Sequence, residues 1–198
     1  MDRILNPVLI TPPADPAVSL AELKQWARVD HDDEDSELSA MLNAAIGILD
    51  GWTGILGRCL VMQTWRVAMA AWPTCREVRL PFPDVSAATV TYYDADGVLQ
   101  TVDSADYELL ADARGSFVRF RTVFDAPPVE DDRSDAVRIA ATAGYGAPGD
   151  VPWPIKTAIK MLATNWYNNR GAIVIGAAPA EIPLGVSTLT APYRYVGV

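Results

Sequence analysis

The hydrophobic pattern of this chain changes period twice, and that constrains its fold more than any other feature. Between residues 19 and 57 apolar side chains recur at three- and four-residue steps. From Cys59 onward Val61, Gln63, Trp65, Val67 and Met69 alternate with Leu60, Met62, Thr64, Arg66 and Ala68, and after Val151 the helical spacing returns. A helix presents one face every 3.6 residues and a strand every 2, so the chain reads as helix, then sheet, then helix. An amphipathic helix is stable only when its stripe is covered, so the late helix needs the early ones as partners. The β segment is therefore an insertion between helical pieces that pack together.

Local signals place the elements. Ser19-Leu-Ala-Glu22 fits a capping box, and Leu20, Leu23, Trp26 and Ala27 follow at helical spacing, which predicts a first helix over residues 19–28. The acidic link Asp30, Asp32, Asp33, Glu34 and Asp35 complements the dipole at the start of a second helix. Its stripe is Leu38, Met41, Leu42, Ala45, Ile46, Leu49 and Trp52, ending at Gly54 or Gly57. Beyond the first strand, further strands are expected at residues 77–80, 88–93, 98–102, 107–110, 117–121 and 137–142. Asp94-Ala-Asp-Gly97 and Asp112-Ala-Arg-Gly115 supply the turn chemistry between neighbours. Residues 125–135, with two prolines and five acids, read as an exposed loop. Pro152 and Pro154 open a third helix whose apolar face is Ile155, Ala158, Ile159, Leu162, Trp166 and Tyr167, ending at Asn169 or Gly171.

The expected fold class is α+β. A helical hairpin (1–57) and a third helix (148–171) pack together, an antiparallel sheet or small barrel (58–147) is inserted between them, and an extended tail (172–198) follows. Small residues from Gly171 to Ala178 suit a flexible arm. The tail beyond them combines Pro179, Pro183 and Pro192 with Leu184, Val186, Leu189, Tyr193, Tyr195 and Val196. Proline at that density argues against helix, and so many apolar groups argue for a partner.

Charge and residue usage narrow the function. Sixteen basic against twenty-five acidic side chains give a net charge of −9, which repels polyanions and opposes duplex binding. No apolar run approaches the roughly 20 residues that span a bilayer, and the reading is a soluble cytoplasmic protein without a membrane role. Two cysteines, Cys59 and Cys75, are too few for a disulfide framework and are read as reduced, mostly buried thiols. With the single His31 they lack metal-ligand spacing, so no metal or other cofactor is implied. The carboxylates from Asp30 to Glu37 also fail as a calcium loop, because Asp35 stands where glycine is needed and Met41 where glutamate is needed. The glycines of residues 144–149 match no phosphate-binding loop. No catalytic residue is assigned. Two other readings stay open: a binding module for a peptide or sugar using Tyr92, Tyr93 and Tyr107, and a carboxylate-dependent hydrolase using Asp32 to Asp35.

Six fragments in order carry a resemblance. They are Ser19-Leu-Ala-Glu-Leu-Lys-Gln-Trp26 with Asp32-Asp-Glu-Asp35; Ala44-Ala45 to Gly57-Arg58 running into Gln63-Thr-Trp65; Thr142-Ala-Gly-Tyr-Gly146 before Val151-Pro152; Ile155-Lys-Thr-Ala158; Trp166-Tyr-Asn-Asn-Arg170; and Ile182-Pro-Leu-Gly-Val186 to Pro192-Tyr-Arg194. Together they resemble the head-tail connector, or adaptor, family of long-tailed phages and gene transfer agents. The resemblance implies a non-enzymatic ring of about twelve copies, assembled in the bacterial cytoplasm and seated in the particle neck. Such a ring bridges the portal protein to a stopper or tail-side protein while DNA passes through its centre. It further implies that the C-terminal segment meets the portal, for which Leu184, Val186, Leu189, Tyr193, Arg194 and Tyr195 are the candidate contacts.

Overall fold

A computed structural model describes residues 4–169 and 184–195, which divide into two compact units. One is helical and is formed by residues 14–61, 145–169 and 184–195; the other holds the sheets and is formed by residues 4–13 and 62–144.

The helical unit starts with α1 (Leu20–Ala27), capped as its sequence requires. The Glu22 amide donates to Ser19 Oγ (3.2 Å) and the Ser19 amide donates to Glu22 Oε2 (2.8 Å), so two orphan donors are satisfied at once. Helix α2 (Asp35–Leu49) opens with Asp35 and Glu37 in its first turn. Helix α3 (Trp153–Asn168) carries a proline in its first turn, where the missing donor costs nothing. Their stripes meet in one core of Leu23, Leu38, Leu42, Ala45, Leu49, Ile155, Ala158, Ile159 and Leu162, all buried. Each large aliphatic group there contributes about 1.5–3 kcal/mol relative to exposure.

Two expectations for this unit are corrected. Helix α2 stops at Leu49 and not at Gly54 or Gly57. Asp50 turns extended, its side chain accepts the Leu60 amide (2.7 Å), and Trp52 leaves the stripe to stand 45% exposed. The second correction concerns the tail, whose described part is not extended. Residues Leu184–Thr190 form a helix, α4, followed by a 3-10 turn at Ala191–Tyr193. Val186 is fully buried in the helical core, and Leu189 and Tyr193 pack against it half-buried. Gly185 faces Met161 of α3, where a Cβ would lie 2.9 Å from the flexible Cε end of that side chain. Thr188 and Thr190 donate to the carbonyls of Leu184 and Val186 (2.9 and 2.8 Å), and Pro192 falls in the first turn of the 3-10 segment, where it needs no donor. The arm at Gly171–Ala178 and the prolines Pro179 and Pro183 lie outside the described residues.

The sheet unit comprises β1 (Val8–Thr11), β2 (Gln63–Met69), β3 (Glu77–Arg79), β4 (Val85–Tyr93), β5 (Leu99–Thr101), β6 (Tyr107–Asp112), β7 (Gly115–Phe120) and β8 (Val137–Ala143). A five-stranded sheet runs β1-β2-β8-β4-β5 and a three-stranded sheet runs β3-β7-β6, with every pair antiparallel. Neither sheet closes, so the small barrel is corrected to two open sheets. Three of the four edge strands are short: β5 and β3 have three residues each and β1 has four. Inside lie Val67, Met69, Val78, Val90, Val118, Phe120, Val137 and Ile139. Trp72 packs among Tyr92, Phe120 and Phe124, at ring separations of 5.2–5.5 Å.

Three local features of this unit differ from expectation. Strand β1 joins the sheet through Val8↔Arg66 and Leu9↔Trp65, although its residues fall within the helical part (1–57) expected from the sequence. The acidic loop at 125–135 is tied down. Arg133 bonds Glu130 (2.8 Å) and Asp135 (2.9 Å) while lying 3.4 Å over the Tyr93 ring, and the Trp72 indole donates to the Pro127 carbonyl (2.8 Å). Cys59 and Cys75 are both reduced thiols, but only Cys59 is buried.

Candidate functional site

The C-terminal segment is positioned by one close backbone contact as well as by the core. The Tyr195 amide donates to the Leu56 carbonyl (2.8 Å). At that crossing Gly57 has φ +62°, and a Cβ on it would stand 2.8 Å from the Tyr195 carbonyl oxygen, so only glycine fits. Ile55, Leu56, Ser187, Thr190, Ala191 and Arg194 line a depression of about 240 Å³ beside the crossing.

The six expected contact residues therefore divide. Val186 is buried and Leu189 half-buried, and both bind α4 to its own helical unit. Leu184 is 86% exposed, Arg194 is exposed, and Tyr193 and Tyr195 are half-buried. The segment is a short docked helix with a projecting leucine at one end and an arginine at the other.

The acidic link is structural. Lys24 Nζ donates to Asp32 (2.5 Å) and Asp35 (2.6 Å), joining the end of α1 to the start of α2, and Tyr167 on α3 donates to Glu34. Hydrogen bonds to Asp32 and then Asp35 hold the Lys24 ammonium above its usual range, and the bond from Lys24 holds the Asp32 carboxyl below its own. A general acid needs the opposite shift, so this geometry does not favour the hydrolase reading. His31 lies 3.9 Å from Asp33, both exposed. No group of three or more His, Cys, Asp or Glu among the described residues is placed to hold a metal ion. The tyrosines of the binding-module reading are engaged as well. Tyr92 packs on Trp72, Tyr93 lies under Arg133 and Arg138, and the Tyr107 hydroxyl donates to the Ala88 carbonyl (3.1 Å).

One feature of the surface was missed in the sequence. Trp26 and Trp153 are 46% and 70% exposed, and the Lys160 ammonium lies between them, 5.1 Å from one ring and 5.9 Å from the other. Spacing assigns Trp26 to the apolar face of α1. The available signal was Trp153, which stands between two prolines and ahead of the α3 stripe. Helix α3 also buries Lys156 beside Glu22 (3.4 Å), and backbone and side-chain bonds from Ser19 keep that carboxyl ionised.

No family model matches the chain, and no curated protein matches it significantly. Solved structures do. A chain from the virion of a native gene transfer agent particle superposes with a TM-score of 0.76 at 25% identity, covering 98% of this chain and 97% of that one. A chain from the neck of an empty particle, computed with C6 symmetry, gives 0.75 at 25% identity over the same shares. One from the neck of a native particle, computed with C12 symmetry, gives 0.68 at 25% identity over 96% of this chain and 97% of that one. The likeness covers the helices, both sheets and the inserted order of the elements together, and it falls on the family whose ordered fragments the sequence carries: the chain is a homologue of phage and gene transfer agent neck proteins of the head-tail connector type.

Proposed function

We propose that this protein is a head-tail connector subunit, a structural and non-enzymatic component of a phage or gene transfer agent neck. The observation that carries the reading is the end-to-end match to neck chains, 98% of this chain against 97% of its counterpart. A ring of about twelve copies is in keeping with the similar chain from a neck computed with C12 symmetry. The ring assembles in the bacterial cytoplasm and joins the portal to a stopper or tail-side protein. A net charge of −9 suits a channel through which DNA slides without sticking.

The C-terminal segment is the proposed portal contact, with the roles of its residues divided. Val186 and Leu189 seat α4 on its own helices, while Leu184, Tyr193, Arg194 and Tyr195 meet the portal. Multiple copies raise the effective concentration of each weak contact. Deleting the segment tests this poorly, because it also removes Val186 from the core. The better test is Leu184→Asp with Arg194→Glu, two exposed changes, in a chain mixed with the portal encoded by the same genome. Native mass spectrometry is expected to show ring-sized addition of the wild-type chain and none of the variant. Equal addition of both would move the portal contact elsewhere on the subunit.

A further inference from the structure

Among the described residues neither edge of the five-stranded sheet has a further partner strand, and the two edges differ in a way that suits joining one copy to the next. At one edge all four residues of β1 are exposed, with Val8, Leu9 and Ile10 at 50%, 40% and 48%. At the other, Val98 and Leu99 are 54% and 50% exposed. Neither strand carries a charged residue. Soluble proteins usually protect a sheet edge with lysine, proline or a covering loop, because unpaired backbone groups recruit other strands. Here prolines flank β1 at positions 7, 12 and 13 but none interrupts it.

The electrostatics of the two edges are opposite. Arg66 on β2 stands directly across from Val8 and has no ion pair among the described residues. Its side chain is long enough to reach over one strand. Strand β5 is bracketed by carboxylates, Asp94 and Asp96 in the turn before it and Asp103 and Asp106 just after it, none of which has a cationic partner among the described residues. Pairing like edges of two copies would bring Arg66 to Arg66 or carboxylates to carboxylates. Pairing unlike edges brings Arg66 to the carboxylates.

Strand direction points the same way. An antiparallel sheet of five strands has edge strands that run in the same direction, so β5 of one copy continues into β1 of the next as a parallel pair with its faces preserved. Such a contact uses two different surfaces, and repeated about an axis it closes into a ring, whereas β1 against β1 would be two-fold and stop at a dimer. At about 4.8 Å per strand each copy spans roughly 24 Å, and about twelve copies would close a circle roughly 90 Å across with about 6° of turn per strand. That curvature is gentle beside the ordinary twist of a sheet, about 20° between neighbouring strands.

We propose that neighbouring subunits join through their sheet edges, β5 of one copy against β1 of the next, with Arg66 facing the acidic bracket of β5. The inference rests on the ring reading given above. Its test uses the full-length chain in a Cys75→Ser background, assembled with its portal. Leu9→Cys or Ile10→Cys is paired with Leu99→Cys, because Leu9 and Ile10 face opposite sides and one of them shares a face with Leu99. Oxidation is expected to give a ladder of covalent oligomers up to the ring mass in one of the two pairs. A ring mass with no ladder in either pair overturns the edge contact and leaves the ring intact. Dimers formed by a single-cysteine Leu9→Cys or Ile10→Cys chain overturn it in favour of two-fold pairing, and absence of any ring mass overturns it together with the ring reading. As an independent variant, Ile10→Lys is expected to abolish ring-sized species without lowering the melting temperature of the monomer, and rings at wild-type yield would refute the proposal.

Discussion

Replacing Val186 by alanine tests whether the C-terminal helix is seated before any partner arrives. Val186 is fully buried, and α4 has only seven residues, too few to be helical in water without tertiary support. Removing two buried carbons at about 0.8 kcal/mol each gives about 1.6 kcal/mol, and the residual cavity raises this to about 2 kcal/mol. For a chain of this size that corresponds to a melting temperature lower by about 4–8 °C. It also corresponds to amide exchange about 30-fold faster across residues 184–195, since 1.4 kcal/mol is a factor of ten. Hydrogen exchange read by mass spectrometry resolves the segment, and a thermal melt followed by circular dichroism reads the whole chain. Near-random-coil exchange of residues 184–195 in the wild-type protein, with an unchanged melt in the variant, would refute the seated helix. Loss of protection confined to these residues at an unchanged melt would place α4 outside the cooperative unit.

Two glycines should respond in opposite directions. Gly57→Ala forces a Cβ into left-handed backbone and against the Tyr195 carbonyl, and should cost more than about 1 kcal/mol. Gly47→Ala, inside α2 and in open space, should gain about 0.8 kcal/mol; thermal melts of both variants check the pair, and a Gly57→Ala protein as stable as wild type would count against the Leu56–Tyr195 crossing. Arg79 binds Asp112 through two bonds of 2.6 Å and is the main reason that the carboxyl is lowered from 3.8 to about 2. Because the folded value is depressed, the stabilisation is complete above pH 3.8 and is lost as pH falls through about 2. Carbon-detected NMR titration should give a midpoint near 2 that returns toward 3.8 in Arg79→Ala, and an unmoved midpoint would show that the pair does not form in solution.

The elements that were legible had strong local signals. The capping box at Ser19 and Glu22 located α1 because both partners lie within one turn. The Asp–Gly turns located the β4–β5 and β6–β7 hairpins for a similar reason. Asp94 Oδ1 accepts the amides of Asp96 and Val98, Asp112 Oδ1 accepts that of Arg114, and Gly97 and Gly115 take positive φ. Strand β1 was missed because three apolar residues and a threonine between prolines have no usable period, and only pairing with β2 makes them a strand. Helix α4 was missed because prolines on both sides suggested extension, while Val186, Leu189 and Gly185 owe their helix to the surface of α3.

Sequence alone determined the order of the main helical and alternating stretches, since that follows from which residues can turn toward a common interior. It also carried the ordered fragments of a connector protein. Tertiary structure alone decided that the sheets stay open, that the acidic link is a clamp closed by Lys24 and Tyr167, and that the C-terminal residues divide between anchoring and display. Each of these depends on which groups meet across long separations in the chain, and a period of two or 3.6 residues carries no record of such meetings.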